Sequence, residues 1–328
     1  MKRLVSGIKP TGDLTLGNYI GAISQFVKMQ HDYESFVFVA DLHALTVYND
    51  PKELKERIRS IIALYLACGL DPKYTTIFIQ SENMYHTNLS WVLECNSYIG
   101  EMSRMTQFKD KSKGKNNEAI STGLFTYPDL MAADILLYDA DVVPVGIDQK
   151  QHVELARNIA ERFNNKYGDT FKIPTPIMDE HASKIYDLQH PTKKMSKTDD
   201  SLKGCILLLD DIDAVRKKIM SSVTDSDSKI YYDRENKPGI SNLLTIYASI
   251  KGISIESATE EFKDKNYGEF KTTVCNTVVS LLEDIQRKYN DIMSTNMIDE
   301  ILDRSNAKVL DIASKKIKDV YSKIGVGR

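Results

Sequence analysis

Short apolar runs alternate with longer amphipathic stretches through the first half of the chain. Arg3–Ser6 reads as a strand, and Asn18–Gln30, with Tyr19, Ile20, Ile23, Phe26 and Val27 at a period near 3.6, reads as a helix. Ser35–Ala40 and Thr75–Gln80 are strands whose composition suggests burial on both faces. Helices are predicted from Pro51 to about Cys68, with Gly69 as the stop, around Leu89–Arg104, and from Pro128 to about Tyr138. Asp141–Val145 is a strand, and Asp148–Lys166 is a long helix ending at Gly168. Strand–helix alternation at this spacing predicts an α/β fold with a Rossmann-like, doubly wound parallel sheet. In such sheets ligands bind at the carboxyl ends of the strands.

The pattern changes after about Gly204. Leu207–Met220, Ser241–Ser249, Ile255–Phe262, Phe270–Tyr289, Met297–Asp303 and Ala307–Ile324 all have helical spacing, with no strand between them. The expectation is an all-helical C-terminal domain, joined by a long, poorly periodic connector over residues 169–206. The division falls at 1–205 and 206–328, with the last helix placed to pack back on the first domain.

Composition narrows the class. With 328 residues the chain has room for two domains, and 27% charged and 42% hydrophobic residues are ordinary for a globular protein. A net charge of −3 excludes a general DNA or RNA coat, so a nucleic-acid partner needs a local basic patch. Cys68, Cys95, Cys205 and Cys275 are far apart, which argues for free thiols rather than a metal site. No stretch is long and apolar enough for a signal peptide or a membrane span, which leaves the cytoplasm as the expected location and no membrane partner.

Chemistry is concentrated in a few places. Gly7, Gly12 and Gly17 stand around a strand end and the start of a helix, where backbone can approach a nucleotide, and Asn18 is placed to cap that helix. A plain tight turn explains the same glycines. Lys194 and Lys197 flank Met195 and Ser196 in a Lys-Met-Ser-Lys-Thr loop ending at Thr198. Two ammonium groups on a loop can stabilise charge on phosphorus and a departing pyrophosphate, though a solvated basic turn has the same composition. Tyr127, Met131 and Asp134 share one helix face by their i, i+4, i+7 spacing. A carboxylate in apolar surroundings suits a mostly hydrocarbon ligand with one donor, such as an indole, unless a backbone N–H or an arginine meets it. Gly146, Ile147, Asp148 and Gln149 sit at a strand end, where Asp148 either meets ribose or caps the next helix. The run containing Lys109, Lys111, Lys113 and Lys115 is a phosphate contact or a solvated loop, and His43 is a pocket wall or a structural histidine.

GIKPTGDLTLGNYIGA, MTQFKDKS, TYPDLMAADILLYDADVVPVGIDQKQHVELAR, PTKKMSKTDD and KPGISNLL together resemble the bacterial tryptophanyl-tRNA synthetase family of class I aminoacyl-tRNA synthetases, nearly end to end. The resemblance implies a homodimer with a Rossmann catalytic domain and a helical anticodon-binding domain. It implies activation of L-tryptophan with ATP and Mg²⁺, and transfer to the terminal adenosine of tRNA(Trp). By position, Asp134 resembles the acceptor of the indole N–H, with Tyr127, Met131 and His43 around it, Gln149 near the ammonium group, and Gly7 and Val5 beside the substrate. Lys9, Pro10, Thr11, Gly17 and Asn18 resemble the first ATP segment, Gly146, Ile147 and Asp148 the ribose segment, and Ile185 a backbone contact to adenine. Lys194 to Thr198 resembles the phosphate loop and Lys111 a pyrophosphate contact. Four positions depart from the wider pattern: Thr15 and Asn18 replace the usual histidines, Lys9 replaces Gln, and Val5 replaces an aromatic residue.

Three other readings share parts of this sequence. A tyrosine-specific sister enzyme uses the same scaffold, but its pocket needs a donor and an acceptor around a phenol. A small nucleotidyltransferase has no use for a helical second domain. A non-catalytic RNA-binding protein has no need of both lysines and the glycine turn.

Overall fold

In the computed structural model the described residues are 1–10, 12–114, 120–146, 149–177, 184–196 and 202–328. In chain order β1 (Arg3–Ile8) leads to a helical segment of three parts, α1 (Leu16–Asn18), a π-helical turn Tyr19–Ile23 and α2 (Ser24–Met29). Next come β2 (Glu34–Val39), α3 (Asp41–Ala44), α4 (Pro51–Ala67) and β3 (Thr75–Ile79). They are followed by α5 (Tyr85–Glu94), α6 (Ile99–Met102), α7 (Thr106–Ser112), α8 (Thr122–Leu136), β4 (Val142–Pro144), α9 (Lys150–Tyr167) and β5 (Thr175–Ile177). The remainder is helical: α10 (Ile212–Met220), α11 (Pro238–Lys251), α12 (Ile255–Glu261), α13 (Tyr267–Met293) and α14 (Met297–Ile324).

All neighbouring strands are parallel, in the order β3-β2-β1-β4-β5. The chain builds outward from β1 in one direction, then returns past it to β4. The switch point therefore lies between β1 and β4, where a crevice opens at the strand ends. Side-chain alternation divides the core in two. Val37, Val39 and Ile77 join one cluster with α4, α11 and α13, whereas Phe36, Phe38 and Phe78 join a second with α5, α8 and α9. The first cluster continues from Ile20 and Leu64 into Leu244, Val278 and Leu282, so the helical region shares a core with one face of the sheet. Helix α14 reaches the other face through Val309, Ala313, Ile317 and Val320. Lys316 pairs there with Asp139 at 2.6 Å, and Lys308 lies 4.8 Å from the Phe36 ring centre. Among the described residues no helix is long and apolar enough to cross a membrane.

Several boundaries differ from the periodicity. Helix α8 begins six residues before Pro128, because Ser121 caps it by accepting from the Leu124 N–H, and the proline sits inside. The predicted helix over Leu89–Arg104 is two, α5 and α6, and the lysine run at 109–111 belongs to α7 rather than a loop. Thr175–Ile177 was hidden in the connector by Pro174 and Pro176; an edge position tolerates the missing N–H. Met297–Asp303 and Ala307–Ile324 form one helix, because Ser305 packs inward and Asn306 donates to Glu82.

Candidate active site

Gly7 lies in the central strand yet is exposed, so it forms part of the floor of the crevice. A side chain there would collide with Phe38, whose ring atoms lie 2.6–3.0 Å from an ideal Cβ. Glycine is thus required by its strand neighbour as well as by the open space. Val5, two residues earlier, is 1% exposed and packed in the second core cluster with Phe36 and Phe38. It supports the floor from below and does not open onto the crevice.

Asp134, on α8, is the centre of one end. It is 1% exposed, and its carboxylate accepts from three side chains on separate elements. His43 Nε2 lies 2.8 Å from Oδ2, while Gln80 Nε2 and His86 Nδ1 each lie 2.7 Å from Oδ1. Burial by itself raises the acid's pKa. The hydrogen bonds from His43 and His86 and their charges reverse this, leaving it at about 2. A carboxylate has about four lone-pair sites, so among the described residues one is left unfilled, on Oδ2. Such a site takes one further donor.

The donors are themselves fixed. Asn83 donates to the Tyr138 hydroxyl at 3.0 Å, and that hydroxyl lies 2.8 Å from His86 Nε2. Because an ionised Asp134 only accepts, the Nδ1 of His86 that faces it carries a hydrogen. Gln80 Oε1 accepts from the Leu42 N–H at 3.2 Å, which sets the amide so that its NH₂ faces Asp134. The structure supplies these donors where sequence reasoning saw only His43. Gln80 had a signal, as a polar residue closing a buried strand at its carboxyl end. His86 had none, since a lone histidine in an apolar helix usually reads as core.

Tyr127 stands beside this centre. Its ring meets His43 edge-on with centroids 6.1 Å apart, and its hydroxyl lies 2.7 Å from His152 Nε2. Burial pushes the Tyr127 phenol up to about 12, so it stays protonated. Met131 is half-buried one turn further along α8, packed on the second core cluster. Lys111 Nζ lies 5.5 Å from the Tyr127 ring centre and donates to Gln107 at 2.9 Å. Lys9, at the end of β1, donates to Thr46 Oγ1 at 3.0 Å, and Thr46 in turn bonds the His43 carbonyl at 2.9 Å. Burial and the nearby charge of Lys111 both lower the Lys9 pKa. Two cations from distant segments thus lean on each other at the crevice mouth. A polyanion placed between them would relieve that repulsion.

The early turn and the late loop meet. Thr15, not Asn18, is the helix cap: its Oγ1 accepts from the Asn18 N–H at 3.1 Å, while Asn18 Oδ1 accepts from the Thr15 N–H at 2.9 Å. That reciprocal box fixes the helix start and leaves Gly17 facing the loop. An ideal Cβ on Gly17 would lie 3.6 Å from Ile185 and 3.7 Å from Met195. The loop is an antiparallel pair in which Met195 N–H donates to the Ile185 carbonyl at 2.9 Å, with Lys194 opposite Tyr186. Ile185 and Met195 are buried, and Lys194 is exposed. Pro10 is buried after β1. Gly146 is exposed after β4, where its carbonyl accepts from the Gln149 N–H at 2.9 Å, and Ser196 is half-buried. Thr11, Ile147, Asp148, Lys197 and Thr198 lie outside the described residues. No cluster of three or more His, Cys, Asp or Glu able to hold a metal occurs among the described residues.

The sequence matches the family described as tRNA synthetases class I (W and Y) over residues 1–283. A tryptophan–tRNA ligase of Oceanobacillus iheyensis is 52% identical over 328 residues, covering 100% of both chains. One of Bacillus subtilis is 51% identical over 329 residues, covering 100% of this chain and 99% of the relative. The crystal structure of tryptophanyl-tRNA synthetase from Mycoplasma pneumoniae superposes with a TM-score of 0.89 at 37% identity, covering 100% of this chain and 98% of that one. The Campylobacter jejuni enzyme, complexed with ADP and tryptophan, gives 0.84 at 35% identity, covering 99% and 100%.

Proposed function

Because this chain belongs to the class I tRNA synthetases for tryptophan and tyrosine, we propose that its crevice holds tryptophan at the Asp134 end and ATP across the strand ends. The reaction is activation of L-tryptophan with ATP, followed by transfer to tRNA(Trp). Near-complete coverage by relatives of that activity supports it. One observation carries the choice of amino acid: the described residues leave Asp134 a single acceptor site. An indole N–H, which donates and does not accept, fills it. A phenol needs a donor as well, and the hydrogens of Gln80, His86 and His43 Nε2 already point at Asp134. The tyrosine-specific reading is therefore disfavoured.

In the first step the tryptophan carboxylate attacks the α-phosphorus, the bond to the bridging oxygen breaks, and pyrophosphate leaves with adenylate formed. The attacking group is already an anion, so no protein base is required. Lys111, Lys194 and Lys197 take charge on the phosphates, with Lys9 and Pro10 at the end of β1 and Thr11, Gly17, Asn18, Met195, Ser196 and Thr198 around the nucleotide. Gly146, Ile147 and Asp148 meet the ribose, the Ile185 backbone meets adenine, and Gln149 meets the substrate ammonium. In the second step the terminal 2′-hydroxyl of the tRNA attacks the acyl carbon, giving the ester and AMP. Magnesium enters with ATP, whose phosphate oxygens are its natural hard ligands.

Residues 1–205 would then do the chemistry and 206–328 engage the anticodon, in a cytoplasmic enzyme. Exposed Met84, Trp91, Tyr98 and Ile99, on α5 and the residues flanking it, support a homodimer through that edge. Pyrophosphate exchange with each of the twenty amino acids tests the reading. Tryptophan alone should support exchange, and a tyrosine-dependent signal of equal size contradicts it.

A further inference from the structure

The outer edge of the late loop is closed by one side chain from the helical region. Tyr186 and Lys194 face each other as an antiparallel pair, flanked by bonds from Met195 to Ile185 and from Asp187 to Lys193, each 2.9 Å. In a pair of that kind the Tyr186 N–H and C=O point away from Lys194, toward whatever lies outside. Asn242, on α11, takes both. Its Oδ1 accepts from the Tyr186 N–H, and its Nδ2 donates to the Tyr186 carbonyl, each at 2.9 Å. The amide stands where a third strand would be.

Asn242 is 3% exposed, so these bonds are buried and their loss takes from two backbone groups the partner that fixes them. Packing does little to replace them. A cavity of about 220 Å³ opens between Tyr186, Thr192, Arg234 and Ser241, so the loop rests only partly on α11. Helix α11 packs closely at its start, where a Cβ on Gly239 would lie 2.1 Å from the Val223 carbonyl oxygen.

We propose that Asn242 is a positioning residue for the nucleotide: by holding the Tyr186 backbone it sets where the Ile185 backbone and Lys194 stand over ATP. This deepens the proposed function and rests on it. The test begins with tryptophan-dependent pyrophosphate exchange by the unmodified protein; absence of exchange defeats the reading of the reaction, independently of Asn242. In Asn242→Ala the KM for ATP should rise and kcat fall, each by about tenfold, on the loss of two buried hydrogen bonds. Tryptophan binding, measured by equilibrium dialysis without ATP, should stay within twofold. Unchanged ATP kinetics, or equal losses for ATP and tryptophan, overturn the proposal. Hydrogen exchange on the unmodified protein keeps it falsifiable should the variant not fold. The Tyr186 amide should exchange at least a hundredfold slower than an open loop, and exchange at the open-loop rate overturns the clamp.

Discussion

The two ends of the crevice are built on opposite principles. At the amino-acid end, Asp134 is buried and bonded by Gln80, His86 and His43. At the phosphate end, Lys9 and Lys111 repel each other and Lys194 is exposed. The first end is complete apart from one acceptor site, so it can reject a ligand that leaves that site unpaired. The second is incomplete in charge and is best satisfied by a polyanion. Selectivity belongs with the closed network and rate with the strained cations.

The largest expected effect comes from opening the closed end. Asp134→Ala removes the acceptor and leaves three donors facing one another. We expect kcat/KM for tryptophan to fall by on the order of 10³ or more, with preference over phenylalanine lost. Retained preference would separate Asp134 from selection. At the other end Lys111→Ala should lower kcat for adenylate formation by about 10²-fold while tryptophan affinity stays within a few-fold, as for a group acting on developing charge. Equal effects on both would erase the contrast between the ends.

A smaller effect separates saturation from burial. Asp129, five residues before Asp134 on the same helix, is also buried, but among the described residues only Ser97 donates to it, at 2.5 Å. Burial, helped by the charges of Glu94 and Glu101 and partly opposed by the Ser97 bond, raises its pKa to about 6. The two acids then pull stability in opposite directions. Asp134, held at about 2, contributes stability above its unfolded value of 3.8 that is lost as pH falls through 2. Asp129 binds its proton more tightly when folded, so its contribution falls as pH rises from 3.8 to about 6, by about 3 kcal/mol. Asp129→Asn should flatten that stretch of a denaturant-midpoint profile, and an unchanged slope would contradict the assignment.

The sheet was legible because its strands carry buried apolar runs, as in Ser35–Ala40. The edge strand Thr175–Ile177 was not, since a three-residue strand holding Pro176 has no such run. Within the site, spacing on α8 brought Tyr127, Met131 and Asp134 to one face, but periodicity says nothing about partners from other elements. His86 and Asn242 act through tertiary contacts that no local pattern encodes, and Gln80 is marked only as a polar residue at the end of a buried strand. The capping role assigned to Asn18 belongs to Thr15, because both residue types cap equally well and only the backbone angles decide.

The most direct measurement is a crystal structure with tryptophan and a non-hydrolysable ATP analogue bound together. The account places the indole nitrogen within about 3 Å of Asp134 Oδ2, with one triphosphate touching both the Gly17 turn and the Lys111 and Lys194 ammonium groups. An indole nitrogen turned away from Asp134, or a nucleotide reaching only one of the two segments, would contradict it.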